Sequence, residues 1–363
     1  MTICNLRAFQ FRNLADTNIV LHPLFNFFVG ENGSGKTSVL EALFILGHGK
    51  SFRTINTEQI IQHHQDSFVV TVNDNNNNHF GFSKTNYASQ ILLKINGSKV
   101  SKLSDLVKNF AVQVVTPESF VLFFGGPKAR RKFIDLGLFH VEPTFSLLWR
   151  DCTKILKQRN ACLKSRSSVA IATLDYWSNS FNELAIQVAQ YRSHYVSLLT
   201  TELTTWLQLL LPEYSNQVNI VYYQGWTAKK TLIDVLMDNY HREIKAGFSL
   251  AGPHRFDVKF EIDNCAVEHR LSRGQQKLFL LALTFAQTQL IAKVEQIKPI
   301  LLIDDFGAEL DDSSRQLLAN AIRHLNCQVI ITAIDEQVLK PIIPNNKNYH
   351  MFHMKHGEIT AIN

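Results

Sequence analysis

Phe25-Asn26-Phe27-Phe28-Val29 runs into Gly30-Glu31-Asn32-Gly33-Ser34-Gly35-Lys36-Thr37, and that turn opens Ser38-Val39-Leu40-Glu41-Ala42-Leu43-Phe44-Ile45-Leu46. An apolar strand, a glycine-rich turn and an apolar helix follow one another without a gap. Gly30, Gly35, Lys36 and Thr37 satisfy G-x-x-x-x-G-K-[ST], in the strand–loop–helix context that a phosphate-binding loop requires. Glycines at 30, 33 and 35 let the backbone curl so that successive N–H groups face one anion. The helix that starts at Lys36 adds its positive dipole end. Lys36 is placed to reach the β- and γ-phosphates, and the Thr37 hydroxyl to ligate Mg²⁺. The stretch Gly30, Glu31, Asn32, Gly33, Ser34, Gly35, Lys36, Thr37 and Ser38 therefore reads as a nucleoside triphosphate site.

Upstream of the loop, Ile3 to Phe11 and Thr17 to Leu21 read as two strands joined by a polar turn. Downstream, the helix is expected to end near Gly47, with Gly47 and Gly49 suited to its C-cap. Ser67–Val72 precedes an asparagine-rich turn at 73–78, and Gln90–Ile95 precedes Asn96-Gly97, the strongest hairpin dipeptide. This region is expected to be antiparallel sheet beside the nucleotide site. From Pro127 to about Leu211 the period becomes helical. Phe145, Leu148, Cys152, Ile155, Leu156 and Leu163 mark one apolar stripe, and the series from Leu174 to Trp206 marks a second, longer one. Ser165-Arg166-Ser167-Ser168 between them reads as the tip joining two antiparallel helices. A strand-and-helix segment follows at Gln217–Ile244, and strands alternate with helices again from Gly247 onward.

Ile300-Leu301-Leu302-Ile303-Asp304-Asp305 is a buried-strand pattern ending in two carboxylates, where parallel strands present ligands. Asp304 is expected to orient Mg²⁺ through water, and Asp305 to act as general base on the attacking water, with Lys36 stabilising charge. Lys36 and Asp304 stand 268 residues apart (304 − 36), far more than one compact doubly wound sheet needs, so a helical insertion separates two halves of one head. Just upstream, Leu271-Ser272-Arg273-Gly274-Gln275-Gln276-Lys277 opens a further helix with a second set of anion-binding groups. One nucleotide does not need two such cradles from the same chain, which points to a second subunit.

The order of these motifs resembles the ABC-type ATPase heads of the SMC class and, within it, the RecF family. Phe11-Arg12-Asn13-Leu14, Gly49-Lys50-Ser51-Phe52-Arg53, Thr116-Pro117-Glu118, Gly126 to Asp135, Gly252-Pro253-His254-Arg255-Phe256-Asp257 and Glu309-Leu310-Asp311 are each similar to that family's segments. The likeness covers the whole chain, and its short length sets it apart from SMC proteins with long coiled coils. The resemblance implies an α/β ABC-type ATPase head (P-loop) built from N- and C-terminal parts, with an inserted, mainly helical arm. The expected division is head at 1–125, arm at 126–246 and head again at 247–363. It implies ATP and Mg²⁺ as cofactors, and an ATP-dependent homodimer in which Ser272, Gly274, Gln275 and Asp311 act in trans on the partner's nucleotide. It further implies slow hydrolysis, recombinational repair, help in loading RecA at single-strand gaps, and RecR and RecO as partners. Ala308 stands where the D-loop usually carries serine, and Thr332-Ala333-Ile334-Asp335 where transporters carry a switch histidine. Both departures suit a switch more than a motor. Gln113 lies near the usual Q-loop, and His254 and Arg255 stand as either nucleotide-supporting or purely structural residues. Two other readings stay open: a P-loop small-molecule kinase, and a DNA-binding module whose ATP is structural.

With 37 basic against 31 acidic residues, the net charge of +6 permits a polyanionic partner without demanding one. Lys128, Arg130, Arg131 and Lys132 form one basic cluster; Lys154, Lys157, Arg159, Lys164 and Arg166 form another. Either is a candidate for sequence-independent contact with duplex DNA, and Arg130 and Arg131 equally for bracing the arm; gap junctions as a partner are implied by the resemblance alone. The longest apolar run, Leu278–Ala286, is broken by Thr284 and falls short of a membrane span. The five scattered cysteines form no C-x-x-C pair, which points to a reducing cytoplasm.

Overall fold

The computed structural model describes residues 2–87, 91–100, 110–117, 119, 125–165, 167, 172–294, 298–307, 310–344 and 348–362. Glu118, Arg166, Ser168, Ala308 and Glu309 lie outside the described residues. The chain divides into two compact units, 1–121 with 206–212 and 273–363, and 122–205 with 213–272.

The first unit contains two six-stranded sheets. One is built from β1 (Ile3–Phe9), β2 (Thr17–Val20), β4 (Ser67–Asp74), β5 (His79–Thr85), β6 (Leu92–Ile95) and β7 (Ser98–Val100), antiparallel throughout in the order β2-β1-β4-β5-β6-β7. Asn96 and Gly97 both take positive φ in the β6–β7 turn, as a two-residue hairpin demands. The second sheet is built from β3 (Phe25–Val29), β8 (Val112–Val115), β12 (Ile300–Ile303), β13 (Gln328–Ala333), β14 (Tyr349–Lys355) and β15 (Glu358–Ala361). Its order is β15-β14-β3-β13-β12-β8. All its pairings are parallel except β14 with β15. Both faces of a parallel sheet are covered, and accordingly every residue of β12 and β13 is buried.

Helix α1 (Lys36–His48) has apolar residues on all sides and belongs to a core shared with both sheets. Leu6, Val70 and Phe82 of the antiparallel sheet join Val39, Leu43 and Leu46, while Phe28, Val112, Leu302 and Ile330 close the cluster from the parallel sheet. A helix buried on every face needs no polar stripe. Gly49 ends it in the left-handed region, its N–H donating to the Ile45 carbonyl, as expected. Gly47 is instead helical, and a Cβ there would meet the Val112 side chain at 2.6 Å.

The second unit holds α2 (Pro127–Val141), α3 (Phe145–Ser165) and most of α4 (Leu174–Leu210). It also holds β9 (Val218–Tyr223), β10 (Asp257–Ile262) and β11 (Cys265–Ala266), an antiparallel sheet in the order β11-β10-β9. Contacts pair Thr144 with Tyr191, Arg159 with Ser178 and Cys162 with Thr173, so α3 and α4 run antiparallel as expected. The boundary read at 246/247 is corrected. Residues 247–272 group with the arm because β10 pairs along its full length with β9. Among the described residues, no helix is long and apolar enough to cross a membrane.

Candidate nucleotide-binding site

The parallel order β3-β13-β12 explains how residues remote in sequence meet. Thr37 follows β3, Asp304 follows β12, and β13 lies between the two strands with Thr332 near its end. The Thr37 hydroxyl donates to the Asp304 carboxylate at 3.0 and 3.2 Å. Thr332, itself fully buried, donates its hydroxyl to Asp304 Oδ1 at 2.7 Å and accepts the Asp305 N–H at 2.8 Å. A single hydroxyl thereby orients the first carboxylate and pins the backbone of the second. Asp305 adopts φ 53°, a left-handed conformation that non-glycine residues take up at an energetic cost. Burial pushes the Asp304 carboxyl above its ordinary pKa; hydrogen bonds from Thr332 and then Thr37 pull it back, and Asp305 adds to the rise.

Gly33 and Gly35 take φ of 80° and 107°, so only glycine fits without strain. A Cβ on Gly30 would stand 2.3 Å from the Met354 carbonyl oxygen of β14. The loop is held from outside by Asn13, whose side-chain amide donates to the Gly33 carbonyl (3.0 Å) and accepts from the Ser38 hydroxyl (2.8 Å). The Gly357 N–H donates to the Ser34 carbonyl at 2.9 Å. Arg12, Asn13, Asn32, Gly33, Lys36, Thr37, Arg53, Pro117, Asp304 and Asp305 are among the residues around a cavity of about 810 Å³.

Several features of this cavity fit a bound polyphosphate. Among the described residues, apart from Gly33 and its chain neighbours, no atom lies within 4 Å of where a Gly33 Cβ would stand, and the buried Ser34 hydroxyl has no partner. Helix α1 has no side-chain cap and no acidic residue in its first turn, and begins instead with a lysine. A cation at the positive end of a helix dipole is unfavourable unless an anion joins it. The Lys36 ammonium donates to the Gly30 and Glu31 carbonyls at 2.6 and 2.9 Å; burial lowers its pKa, and Asp305 and Asp304 oppose that fall. The hydroxyl of Thr37 and the carboxylate of Asp304 form the hard oxygen set that Mg²⁺ takes alongside phosphates and water.

The other sequence-derived residues fall elsewhere. Ser272 stands exposed immediately before the helix Arg273–Ala292, and Gly274 and Gln275 lie half-buried in its first turn. Asp311 caps the helix Asp312–Ile322, accepting the Ser314 N–H at 2.7 Å and the Ser313 hydroxyl at 2.9 Å, bonds that hold its carboxyl below the ordinary range. Gly274, Gln275 and Asp311 are not among the residues lining the cavity of their own chain. Gln113 is buried in β8, its amide nitrogen without a partner among the described residues.

The basic clusters need correction. Arg130 makes a bidentate pair with Asp257 at 2.8 and 3.0 Å, and Arg131 donates to the Phe256 carbonyl at 3.3 Å, so both brace α2 against β10. Arg159 is buried, paired with Glu243 at 2.7 Å. Lys128, Lys154 and Lys157 remain exposed. His254 bonds the Ser249 carbonyl at 3.1 Å within the second unit, and burial pushes its pKa down to about 4. Thr332, Asn13 and Glu41 escaped the motif reading as site residues.

Residues 2–360 match the family model described as the RecF/RecN/SMC N-terminal domain. The chain is 53% identical over 373 residues to the DNA replication and repair protein RecF of Colwellia psychrerythraea, covering 100% of this chain and 98% of that one. It is 38% identical over 366 residues to the protein of the same name from Haemophilus influenzae, with both chains covered completely. Among solved structures it is similar to the recombination mediator protein RecF with ATP (TM-score 0.84, 22% identity, 100% and 98% covered). It is also similar to an Smc head bound to the C-winged helix domain of ScpA (TM-score 0.58, 14% identity, 100% and 97% covered). Both structural likenesses speak to the fold.

Proposed function

Since the chain belongs to the RecF branch of the RecF/RecN/SMC family, we propose that it is an ATP-dependent DNA-binding protein of replication and recombinational repair. The observation that carries the nucleotide reading is the meeting of Thr37 and Asp304 beside the loop at 30–37. Gly30 to Ser38 hold the phosphates, and Lys36 meets the charge that develops on them. Mg²⁺ bound at Thr37 and Asp304 would neutralise phosphate oxygens. Asp305, held by Thr332, takes the proton of the attacking water. The exposed Ser272, with Gly274, Gln275 and Asp311, serves a nucleotide held by a second copy, so ATP closes two heads into a clamp on duplex DNA and slow hydrolysis reopens it. Lys128, Lys154 and Lys157 contribute phosphate contacts on the arm. Recognition of gap junctions, RecA loading and partnership with RecR and RecO follow from the family, whose structural relative is a recombination mediator protein of the RecFOR pathway.

Sedimentation and duplex binding with and without ATP test the clamp, using the native protein and its Lys36→Arg, Ser272→Arg and Asp305→Asn forms. ATP should dimerise the native protein and tighten DNA binding. Lys36→Arg and Ser272→Arg should abolish dimerisation, and Asp305→Asn should prolong the ATP-bound dimer. A monomer indifferent to ATP throughout would overturn the clamp, and absence of turnover would leave ATP a structural ligand.

A further inference from the structure

Glu41 lies within α1, yet its side chain is completely buried. It stands four residues beyond Thr37 and three beyond Ser38, so it shares their face of the helix one turn above the phosphate end. Its carboxylate receives a bidentate guanidinium from Arg12, at 2.6 and 2.9 Å, and the Ser51 hydroxyl; Arg53 approaches at 3.6 Å. These contacts order two segments, the turn after β1 that carries Arg12 and the loop that carries Ser51 and Arg53. Arg12 also donates to the Gln59 carbonyl at 2.7 Å, tying the turn after β1 to the residues below the cavity. Ser51 in turn accepts the N–H groups of Arg53 and Thr54, at 2.8 and 3.0 Å, shaping the loop that carries Arg53. Arg12, Arg53 and Gln59 all line the cavity.

A buried carboxylate is weak support for stability, since well-packed apolar groups often do as well. Here two guanidinium groups share one carboxylate, so this cluster carries net positive charge on a wall that also bears Lys36, Glu58, Asp304 and Asp305. Arg12 spends three of its five N–H donors on Glu41 and Gln59, and among the described residues two remain. We propose that Glu41 is a positioning residue that holds Arg12 and Arg53 on the cavity wall against the anionic part of the nucleotide. The inference rests on the nucleotide reading above.

The test is equilibrium binding of mant-ATP and mant-ADP to the full chain at several salt concentrations, with thermal unfolding measured without nucleotide. Glu41→Gln should weaken mant-ATP binding about tenfold and flatten its salt dependence, while the nucleotide-free melting temperature changes by a few degrees. Arg12→Gln should weaken binding to a similar degree. The double variant should bind no worse than the weaker single variant, because each removes the same arrangement. Glu41→Asp, which keeps the charge but shortens the reach, should fall between native and Glu41→Gln. Unchanged affinity in Glu41→Gln, or losses that add in the double variant, would overturn the proposal. If Glu41→Gln does not fold, Arg12→Gln and Arg53→Gln decide: unchanged affinity in both overturns it, and weakened affinity with lowered salt dependence supports it. If the native protein does not bind mant-ATP, or Lys36→Ala binds it equally well, the nucleotide reading itself fails and the inference falls with it. Native binding lost in Lys36→Ala but kept in Glu41→Gln removes the inference alone.

Discussion

Replacing Thr332 by valine keeps the shape of a fully buried side chain and removes one hydroxyl. Two hydrogen bonds go with it, the 2.7 Å bond to Asp304 Oδ1 and the 2.8 Å bond from the Asp305 N–H. The first is made to a carboxylate, worth about 1.5–3 kcal/mol; the second leaves an N–H without its partner at about 1 kcal/mol, since Asp305 is only half-buried. The loss of stability should therefore be about 2.5–4 kcal/mol, with the carboxylate share falling on the ionised form of Asp304. About 1.5 kcal/mol corresponds to about a tenfold change in an equilibrium constant. The Mg²⁺ concentration needed for half-maximal ATP binding should thus rise at least about tenfold at neutral pH. Burial has already raised the Asp304 pKa, and losing the Thr332 bond raises it further, so the acid limb of Mg²⁺-dependent binding should move to higher pH. Without metal the sign reverses. The folded state holds this proton more tightly than the unfolded chain, so the contribution of Asp304 to stability is fullest below the ordinary carboxylate pKa and is lost as pH rises through the raised one. Binding of ATP titrated with Mg²⁺ from about pH 5 to 8, alongside thermal unfolding, reads both effects. A Thr332→Val protein with the native Mg²⁺ dependence and the native acid limb would refute the argument.

Two further predictions concern the second unit. Arg192 is fully buried, pairs with Asp135 at 2.9 and 3.0 Å, donates to the Pro253 carbonyl and lies over the rings of Phe256 and Trp149. Arg192→Met should cost about 3 kcal/mol in urea unfolding, the low end for a broken buried pair because the Asp135 side chain stays one-quarter exposed; Asp135→Leu in the same chain should recover much of that loss. Burial pushes the pKa of both His140 and His254 down to about 4, whereas the unfolded chain takes up those protons near 6.5. The stability each contributes is complete above about pH 6.5 and is lost as pH falls toward about 4, so thermal stability should drop across that window and drop less steeply in His140→Leu.

The loop at 30–37 and the strand at 300–305 were legible because each is a local pattern whose chemistry needs consecutive residues. What joins them was not. Thr332 read only as the place where a histidine is missing, because its partners lie 28 and 27 residues upstream and on a different strand. Glu41 is a polar residue on an apolar helix, and nothing local reveals that two other segments converge on it. Residues 247–272 were assigned to the head because alternation alone does not say which sheet a strand joins, and β9 claims β10 across a long interval. For Arg130 and Arg131 the sequence left DNA contact and bracing equally open, because a basic run looks the same whether solvated or ion-paired; Asp257 and the Phe256 carbonyl decide for bracing. Arg159 carried a usable signal: it falls three residues after Leu156 and four before Leu163, on the buried stripe of α3. A charge on such a stripe implies a buried partner, here Glu243.

The central place of β3 in its sheet bears on how the protein is made. Both neighbours of β3, β13 and β14, come from the C-terminal end of the chain. Between Val29 and Gln328 the ribosome must add 299 residues (328 − 29), which at about 5–20 residues per second takes about 15–60 s. Throughout that interval the nascent chain carries Phe25, Phe27 and Phe28 on a strand with neither edge paired. Such a strand is an aggregation hazard until the last part of the chain emerges. The same connectivity that brings two distant parts of the chain to one glycine-rich loop therefore makes the nascent chain a natural client for chaperones.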